Sequence, residues 1–411
     1  MMFLYTYCIA PILWLLFKIG ALFFSTFKKR DSIISQFAKE SFERPPLQKV
    51  LWVHAASMGE FEQAKPIIEY IRAKEIEQLS IVVTFFSPSG YENQKNYPFA
   101  DYITYLPIDT MGAMEQFVSK VHPTVVMFIR YELWPNLLHI LSHHSIPYFF
   151  VNATFPNSWF WVTIGQSMVK KLYRNADGIY TVNKEHYQKF TQLISKTTIH
   201  RSADTRIDRI IEKVRSHQPE QWYTIPKKPV LIVGSSWKEE EMLLHSVSSE
   251  LFNQFHCIIV PHKPENDTIH RLQSLFSNSV LLSELRLEDT LQNEVVIVDS
   301  IGKLLPLYCI ASVAFVGGGF GRCVHSTAEP LAFGIPVFCG PNIASSPDAT
   351  TFEREGVLSI VRTKDDVENI LHKVLTDKEW LLSSRKKIEK ILHPSIGESK
   401  RIGDSISTYL H

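Results

Sequence analysis

The sequence offers one clear candidate for a general base. Glu60 closes the stretch Ser57-Met58-Gly59-Glu60, which follows a β-type apolar run and opens a helical pattern that contains Pro66. At the first turn of a helix the dipole and the unpaired N–H groups favour a charged carboxylate, and such a group can take a proton from an alcohol. Plain helix capping is the competing role, and position alone leaves both open. Ser57 and Gly59, both small, are the candidate acceptor contacts beside it. A second group, Arg130-Tyr131-Glu132-Leu133-Trp134-Pro135-Asn136, follows another apolar run. There Arg130 and Glu132 bracket an aromatic residue, as a catalytic pair would or as a surface ion pair beside a structural tryptophan would. In Ala203-Asp204-Thr205-Arg206-Ile207-Asp208 the guanidinium of Arg206 could reach a phosphate or carboxylate, or close an interdomain salt bridge.

The second half of the chain carries a different chemistry. Ser235 and Ser236 follow Gly234, His262 and Lys263 follow Pro261, and Ile301-Gly302-Lys303 follows Asp299-Ser300. The longest segment runs from Gly317-Gly318-Gly319-Phe320-Gly321 to His325-Ser326-Thr327-Ala328-Glu329-Pro330. Glycines after a strand let backbone approach a phosphate closely, and the next helix start adds its dipole. Glu329, about ten residues further on, suits the hydroxyl donors of a ribose diol. These glycines do not follow G-x-G-x-x-G and come late in the chain, which disfavours a dehydrogenase. No Asp-x-Asp occurs and no His/Cys cluster has metal spacing, so the expectation is metal-independent chemistry without a cofactor.

Short β-rich runs alternating with helical patterns must position these groups, and that alternation reads as parallel sheets wound with helices. The expected strands are 50–54, 80–85, 102–106, 124–129, 148–151 and 178–182, then 230–233, 256–260, 295–298, 313–316 and 336–339. Two α/β domains follow, 47–210 and 225–411, joined through a polar stretch near 205–228, with the last helix able to pack back on the first. The 411 residues, 45% hydrophobic and 21% charged, are ample for two cores. A net charge of +1 argues against a nucleic-acid partner. Five cysteines without a C-x-x-C pair indicate neither a disulfide framework nor a zinc knuckle.

The N-terminus departs from this average. Residues 1–27 form an apolar run flawed only by Lys18 and followed by Lys28, Lys29 and Arg30. That pattern reads as a retained membrane anchor with the body on the cytoplasmic side; a buried core helix or a shallow in-plane anchor also fits. Arg44-Pro45-Pro46 ends a linker. Residues 155–161 with Lys170, Lys171 and Arg174 are candidates for a membrane-facing patch.

With these segments in this order, the chain resembles the 3-deoxy-D-manno-oct-2-ulosonic acid (Kdo) transferases that act on lipid A. The resemblance runs from the apolar helix through Ser57-Met58-Gly59-Glu60, Glu132-Leu133-Trp134-Pro135-Asn136, Thr205-Arg206-Ile207-Asp208, Ser300-Ile301-Gly302-Lys303 and the 325–330 segment to Gly340-Pro341-Asn342. It implies a GT-B fold, two Rossmann-like domains facing across a cleft. It further implies a CMP-Kdo donor, a lipid A precursor as acceptor, inversion at the anomeric carbon, and residence at the cell inner membrane. Glu60 then matches the base and Arg206 the cation that assists the leaving group. His262 and Lys263, Ile301 to Lys303 and Ser326 to Glu329 match the segments that hold CMP, with Ser235, Ser236, Gly318 and Gly319 beside them. Arg130 stands where many members carry a carboxylate, Ser326 where asparagine is common, and Lys303 where glutamate is common. Read without the resemblance, the residues also admit a UDP-sugar transferase, an epimerase or a non-catalytic nucleotide-binding protein.

Overall fold

Strands that read as near-continuous Val/Ile/Leu/Phe runs must be covered on both faces, and here they are. The computed structural model describes residues 2–39, 48–155, 165–195, 198–216, 222–291 and 294–411. Among them, strands β1 (Lys49–Ala55), β2 (Leu79–Phe85), β3 (Tyr102–Tyr105), β4 (Val125–Ile129), β5 (Tyr148–Ala153), β6 (Gly178–Thr181) and β7 (Ile199–Arg201) form one sheet. A second sheet contains β8 (Val230–Ser236), β9 (His256–Pro261), β10 (Ser279–Leu281), β11 (Val295–Ile297), β12 (Val313–Val316), β13 (Val337–Cys339) and β14 (Leu358–Ile360). Their orders are β3-β2-β1-β4-β5-β6-β7 and β10-β11-β9-β8-β12-β13-β14. Every pairing in both sheets is parallel.

Alternate residues of β1 feed opposite cores. Trp52 packs with Phe117, Phe128 and Phe150 on one face, while Leu51 and Val53 join Phe61, Ile67 and Ile71 on the other. The chain divides into two compact units, one of Met1–Asp208 with Gly397–His411, the other of Arg209–Ile396. The division therefore falls inside the helix Thr205–Ser216. The last helix, Glu398–Ser407, lies in the first unit: Ile402 and Ile406 enter its core, and Asp208 accepts N–H bonds from Gly397 (2.8 Å) and Ser399 (3.0 Å).

Three strands go beyond the sequence expectation, β7, β10 and β14. Each has three residues and lies at a sheet edge, where partial exposure admits His200, Arg201, Ser279 and Ser359 and erases the apolar signal.

The N-terminal helix covers Met2–Phe23. Phe24 is extended, and residues 25–27, expected within the anchor, begin a second helix, Ser25–Lys39. One face of the first helix is bare: Phe3, Leu4, Ile12, Leu15, Leu16, Leu22 and Phe23 are exposed. The other face is bonded to the first unit. Tyr5 donates its hydroxyl to Asp109 Oδ2 (2.9 Å), and Thr6 donates to Asn136 Oδ1 (2.6 Å). At its far end Lys18 pairs with Asp31 (2.7 Å), and Arg30 in the returning helix donates to Leu106 O (2.9 Å) and stacks on Phe86. The two helices thus form a hairpin tied to one body at both ends.

Asp109 is buried, and burial pushes its carboxyl up to about 7 against N–H bonds from Asn136 and Leu137 and the hydroxyl of Tyr5. An acid with a raised folded-state pKa stabilises the fold less as pH rises through that value. Tyr5→Phe removes one supporting donor, so it should cost about 1–3 kcal/mol, with the larger loss at pH 8 than at pH 5. Thermal melts at the two pH values check this; melting like the native chain at both would mean that the first helical turn is not docked.

Candidate functional site

A parallel sheet opens for ligands where its strand order reverses, because neighbouring connections there leave in opposite directions. In the first sheet that point lies between β1 and β4, and in the second between β8 and β12. The candidate residues collect at both.

After β1 the chain turns through Ala56 and Ser57 into the helix Met58–Ala73. Glu60 folds back over this turn, and its Oε2 accepts N–H bonds from Ala56 (2.6 Å) and Ser57 (3.2 Å). It is 5% exposed. Burial, and next the Glu132 carboxylate, push it up to about 7, against the pull of Arg130 and the two backbone N–H groups. The helix start favours the charged form, as its position in the sequence implies, but loss of water outweighs it. One carboxylate therefore both caps the turn and holds its proton more tightly than an ordinary glutamate. Gly59 beside it is exposed, and a Cβ there would meet nothing within 4 Å, so packing does not demand glycine.

From the end of β4, Arg130 takes φ +65°, a strained conformation for a side chain with a Cβ. Its N–H bonds Val151 O (2.9 Å) and its Nε donates to Gln63 Oε1 (3.0 Å). The network continues from Gln63 Nε2 to Asp204 Oδ2 (2.8 Å), and Arg206 grips the same carboxylate through Nη2 (2.7 Å) and Nε (3.2 Å). Burial works to raise Asp204, but the charge and hydrogen bonds of Arg206 win and hold it below its ordinary value. Asn152 at the end of β5 and Thr205 lock this junction, with Thr205 N donating to Asn152 Oδ1 (3.0 Å) and Thr205 Oγ1 to Gln63 O (2.6 Å). Arg206 pairs with Asp204 within the first unit, with its side chain 26% exposed. Glu132 lies 3.6 Å from Nε2 of the fully buried His54.

The second unit builds its site from close backbone contacts. A Cβ on Gly317 would stand 2.2 Å from Ser235 O, and Gly318 has φ +86°. Only glycine permits this approach of β12 to the end of β8. Ser235 itself has φ +51°. Ser236 is buried and donates to Glu241 Oε1 (2.8 Å), which Arg271 pairs. Gly319 abuts the backbone of Gly340. Above the loop, the His262 ring stacks on His325 (4.3 Å between centroids) and Trp237 (4.8 Å), and Trp237 Nε1 donates to His325 Nε2 (2.9 Å). Burial lowers both imidazoles, helped at His262 by Lys263.

Lys263 and Ser326 are exposed, whereas Thr327 and Ala328 are buried, the Thr327 hydroxyl without a hydrogen-bond partner among the described residues. Ile301 is exposed beside Gly302 at φ +88°, and Lys303 lies over the Trp222 ring. Burial raises Glu329, opposed by Lys213. Lys170, Lys171 and Arg174 are exposed on the helix Gln166–Arg174; of 155–161, only Phe155 lies within the described residues. Sequence reasoning missed His54, Gln63, Trp237 and the stacking of the His325 ring on His262 and Trp237. A histidine inside the apolar run of β1 was the available signal for the first.

Residues 27–209 match the family model of 3-deoxy-D-manno-octulosonic-acid transferase (kdotransferase). A transferase of that name from Haemophilus influenzae is 27% identical over 391 residues, covering 89% of this chain and 88% of the relative. Another from Aquifex aeolicus is 26% identical, covering 86% and 93%. The chain is a Kdo-transferase relative. Solved structures with a similar fold include UDP-GlcNAc 2-epimerase from Neisseria meningitidis (TM-score 0.60, 16% identity, 88% of this chain and 100% of that one). MurG from Acinetobacter baumannii is also similar (TM-score 0.55, 13% identity, 88% and 99%). These likenesses make the fold GT-B-like, with a Rossmann-like sheet in each unit of this Kdo-transferase relative.

Because the folded-state pKa of Glu60 is raised, its contribution to stability is present at low pH and lost as pH rises through about 7. Glu60→Gln keeps an acceptor for the Ala56 and Ser57 N–H groups but carries no charge. It should be more stable than the native chain by roughly 1–3 kcal/mol at pH 8 and no more stable at pH 4.5. Melting curves at the two pH values decide it: destabilisation at pH 8 would make the carboxylate a cap alone.

Proposed function

We propose that this Kdo-transferase relative is an inverting glycosyltransferase that moves Kdo from CMP-Kdo to a hydroxyl of a lipid A precursor in lipopolysaccharide synthesis. The observation that carries the reading is Glu60, a buried carboxylate pushed up to about 7 at the switch point of the first sheet. An inverting transfer needs one base to accept the proton of the attacking alcohol, and a base works best with a pKa near the working pH. Glu60 supplies it, with Ser57 and Gly59 as acceptor contacts. Glu132 and Arg130 set the field around it, opposite in sign.

CMP is a monophosphate leaving group, and its departing charge calls for cations. Arg206 and Lys263 are the proposed ones. The glycine loop, His262, Lys303 and the backbone of Thr327 and Ala328 are proposed to hold CMP, with Glu329 accepting from the ribose hydroxyls. The transfer as written uses protein side chains alone.

The same reading assigns the N-terminal hairpin to the membrane. Its bare face of Phe, Leu and Ile suits a lipid leaflet, and its attachment at both ends favours lying in the cytoplasmic leaflet over crossing it: a helix of 22 residues rises about 33 Å, which would carry Tyr5 far from Asp109. Lys170, Lys171 and Arg174 add a basic surface for anionic headgroups.

Purified protein given CMP-Kdo and a tetraacylated lipid A precursor should yield acceptor heavier by one or more Kdo residues, while UDP-sugars give nothing. No mass gain in a folded sample sinks the proposal. In that assay Glu60→Gln should lose roughly 10²–10⁴-fold in turnover. Glu329→Ala should weaken CMP binding by about 1–3 kcal/mol, read by calorimetry; unchanged affinity would move the ribose elsewhere.

A further inference from the structure

We propose that His54 is a positioning residue for this reaction: from the middle of the first sheet its Nε2–H holds the Glu132 carboxylate, and a buried Thr84–Trp52 pair fixes the tautomer that makes this possible. The inference rests on the reading of Glu60 and Glu132 as the acceptor-side machinery.

Parallel register sets His54 of β1 between Thr84 of β2 and Phe128 of β4. Trp52, two residues earlier and so on the same face, donates Nε1–H to Thr84 Oγ1 (2.8 Å). His54 Nδ1 lies 2.9 Å from the same oxygen. An indole N–H can only donate, so Thr84 Oγ1 accepts there and has its own proton to give. Given to Nδ1, that proton makes Nδ1 an acceptor and leaves the imidazole proton on Nε2.

Nε2 is buried, has no hydrogen-bond partner among the described residues, and stands 3.6 Å from Glu132 Oε2. The opposite neutral tautomer would turn a lone pair toward that carboxylate and leave the hydroxyl of Thr84 without its acceptor. Ring orientation is not free to escape the choice, since Trp134 meets the imidazole edge-on at 5.7 Å and Phe128 at 6.1 Å. The 3.6 Å separation exceeds a hydrogen bond by a few tenths of an ångström, as catalytic contacts often do before substrate draws them in.

A histidine that only filled the core would be satisfied by Thr84 and indifferent to Glu132. The chain Trp52, Thr84, His54, Glu132 instead ends at the carboxylate whose charge acts on Glu60. Its role is to hold that carboxylate oriented beside the base.

The test pairs a spectroscopic with a kinetic reading. Imidazole nitrogen NMR of histidine-labelled protein should show His54 with Nδ1 bare and Nε2 protonated, and the Nε2 signal should move in Glu132→Gln. A proton on Nδ1 with Nε2 bare, or a signal indifferent to Glu132→Gln, overturns the proposal whether or not the chain transfers Kdo. In the CMP-Kdo assay His54→Leu should lower kcat up to about 10²-fold with CMP affinity unchanged, and His54→Gln, which returns an N–H donor, should recover most of it. In a Glu132→Gln background His54→Leu should cost nothing further. Equal losses in both backgrounds overturn the proposal. Should His54→Leu fail to fold, Thr84→Val, which keeps the volume and removes the hydroxyl, carries the same comparison. Absence of turnover in the native chain would instead defeat the proposed function and leave the NMR result standing.

Discussion

Keeping a carboxylate out of water at the carboxyl edge of a sheet is costly, and most of the first unit is arranged around that cost. Glu60 is held by backbone N–H groups, Asp204 by Arg206 and Gln63, and Asp109 by Asn136, Leu137 and Tyr5. The three differ in what compensates them, and their chemistry differs accordingly. Asp204 has a full cation within 2.7 Å and stays charged. Glu60 is hydrogen-bonded only to backbone dipoles, and burial and the Glu132 carboxylate outweigh those dipoles and the charge of Arg130, so its pKa is pushed up to about 7. A base must have the second environment, because a carboxylate paired like Asp204 has no appetite for a proton.

The second unit meets a different constraint, the approach of backbone to backbone. Gly317 against Ser235 and Gly319 against Gly340 bring β12, the end of β8 and the end of β13 together at one edge. Positive φ at Ser235 and Gly318 turns the chain there without further residues. A surface of backbone and stacked rings suits a nucleotide, whose phosphate wants N–H groups and whose base wants flat partners. Of the carboxylates near the glycine loop, Glu240 and Glu241 are fully buried and Glu329 is half-buried.

What could be read from sequence divides along the same line. Central strands such as β1 and β4 are apolar on both faces, so their periods announce them, and the groups that follow them, Glu60, Arg130 and Glu132, come with them. Edge strands β7, β10 and β14 are short and half wet, so nothing in Ile199-His200-Arg201 marks it as a strand. Contacts across the sheet were invisible for another reason. That His54 meets Thr84, or that Gln63 joins Arg130 to Asp204, depends on register between strands far apart in the chain. The raised pKa of Glu60 was hidden for the same cause: a helix start is local and legible, but burial is set by everything packed over it.

Asn136 shows how far such long-range contacts reach. From the chain alone it is the last residue of Glu132-Leu133-Trp134-Pro135-Asn136, a motif that looks like a unit of the site. In the fold it is fully buried, accepts the hydroxyl of Thr6, and gives its own N–H to Asp109, which also holds Tyr5. The first turn of the N-terminal helix is therefore bonded to the turn that presents Glu132. A tether needs no such bonds, since a flexible linker would hold an enzyme at a surface equally well. Building the apolar hairpin into the turn instead fixes the height of Glu132 and its neighbour Glu60 relative to the bare helical face. If that face rests in a leaflet, the same hydrogen bonds set how far above the lipid Glu60 and Glu132 stand.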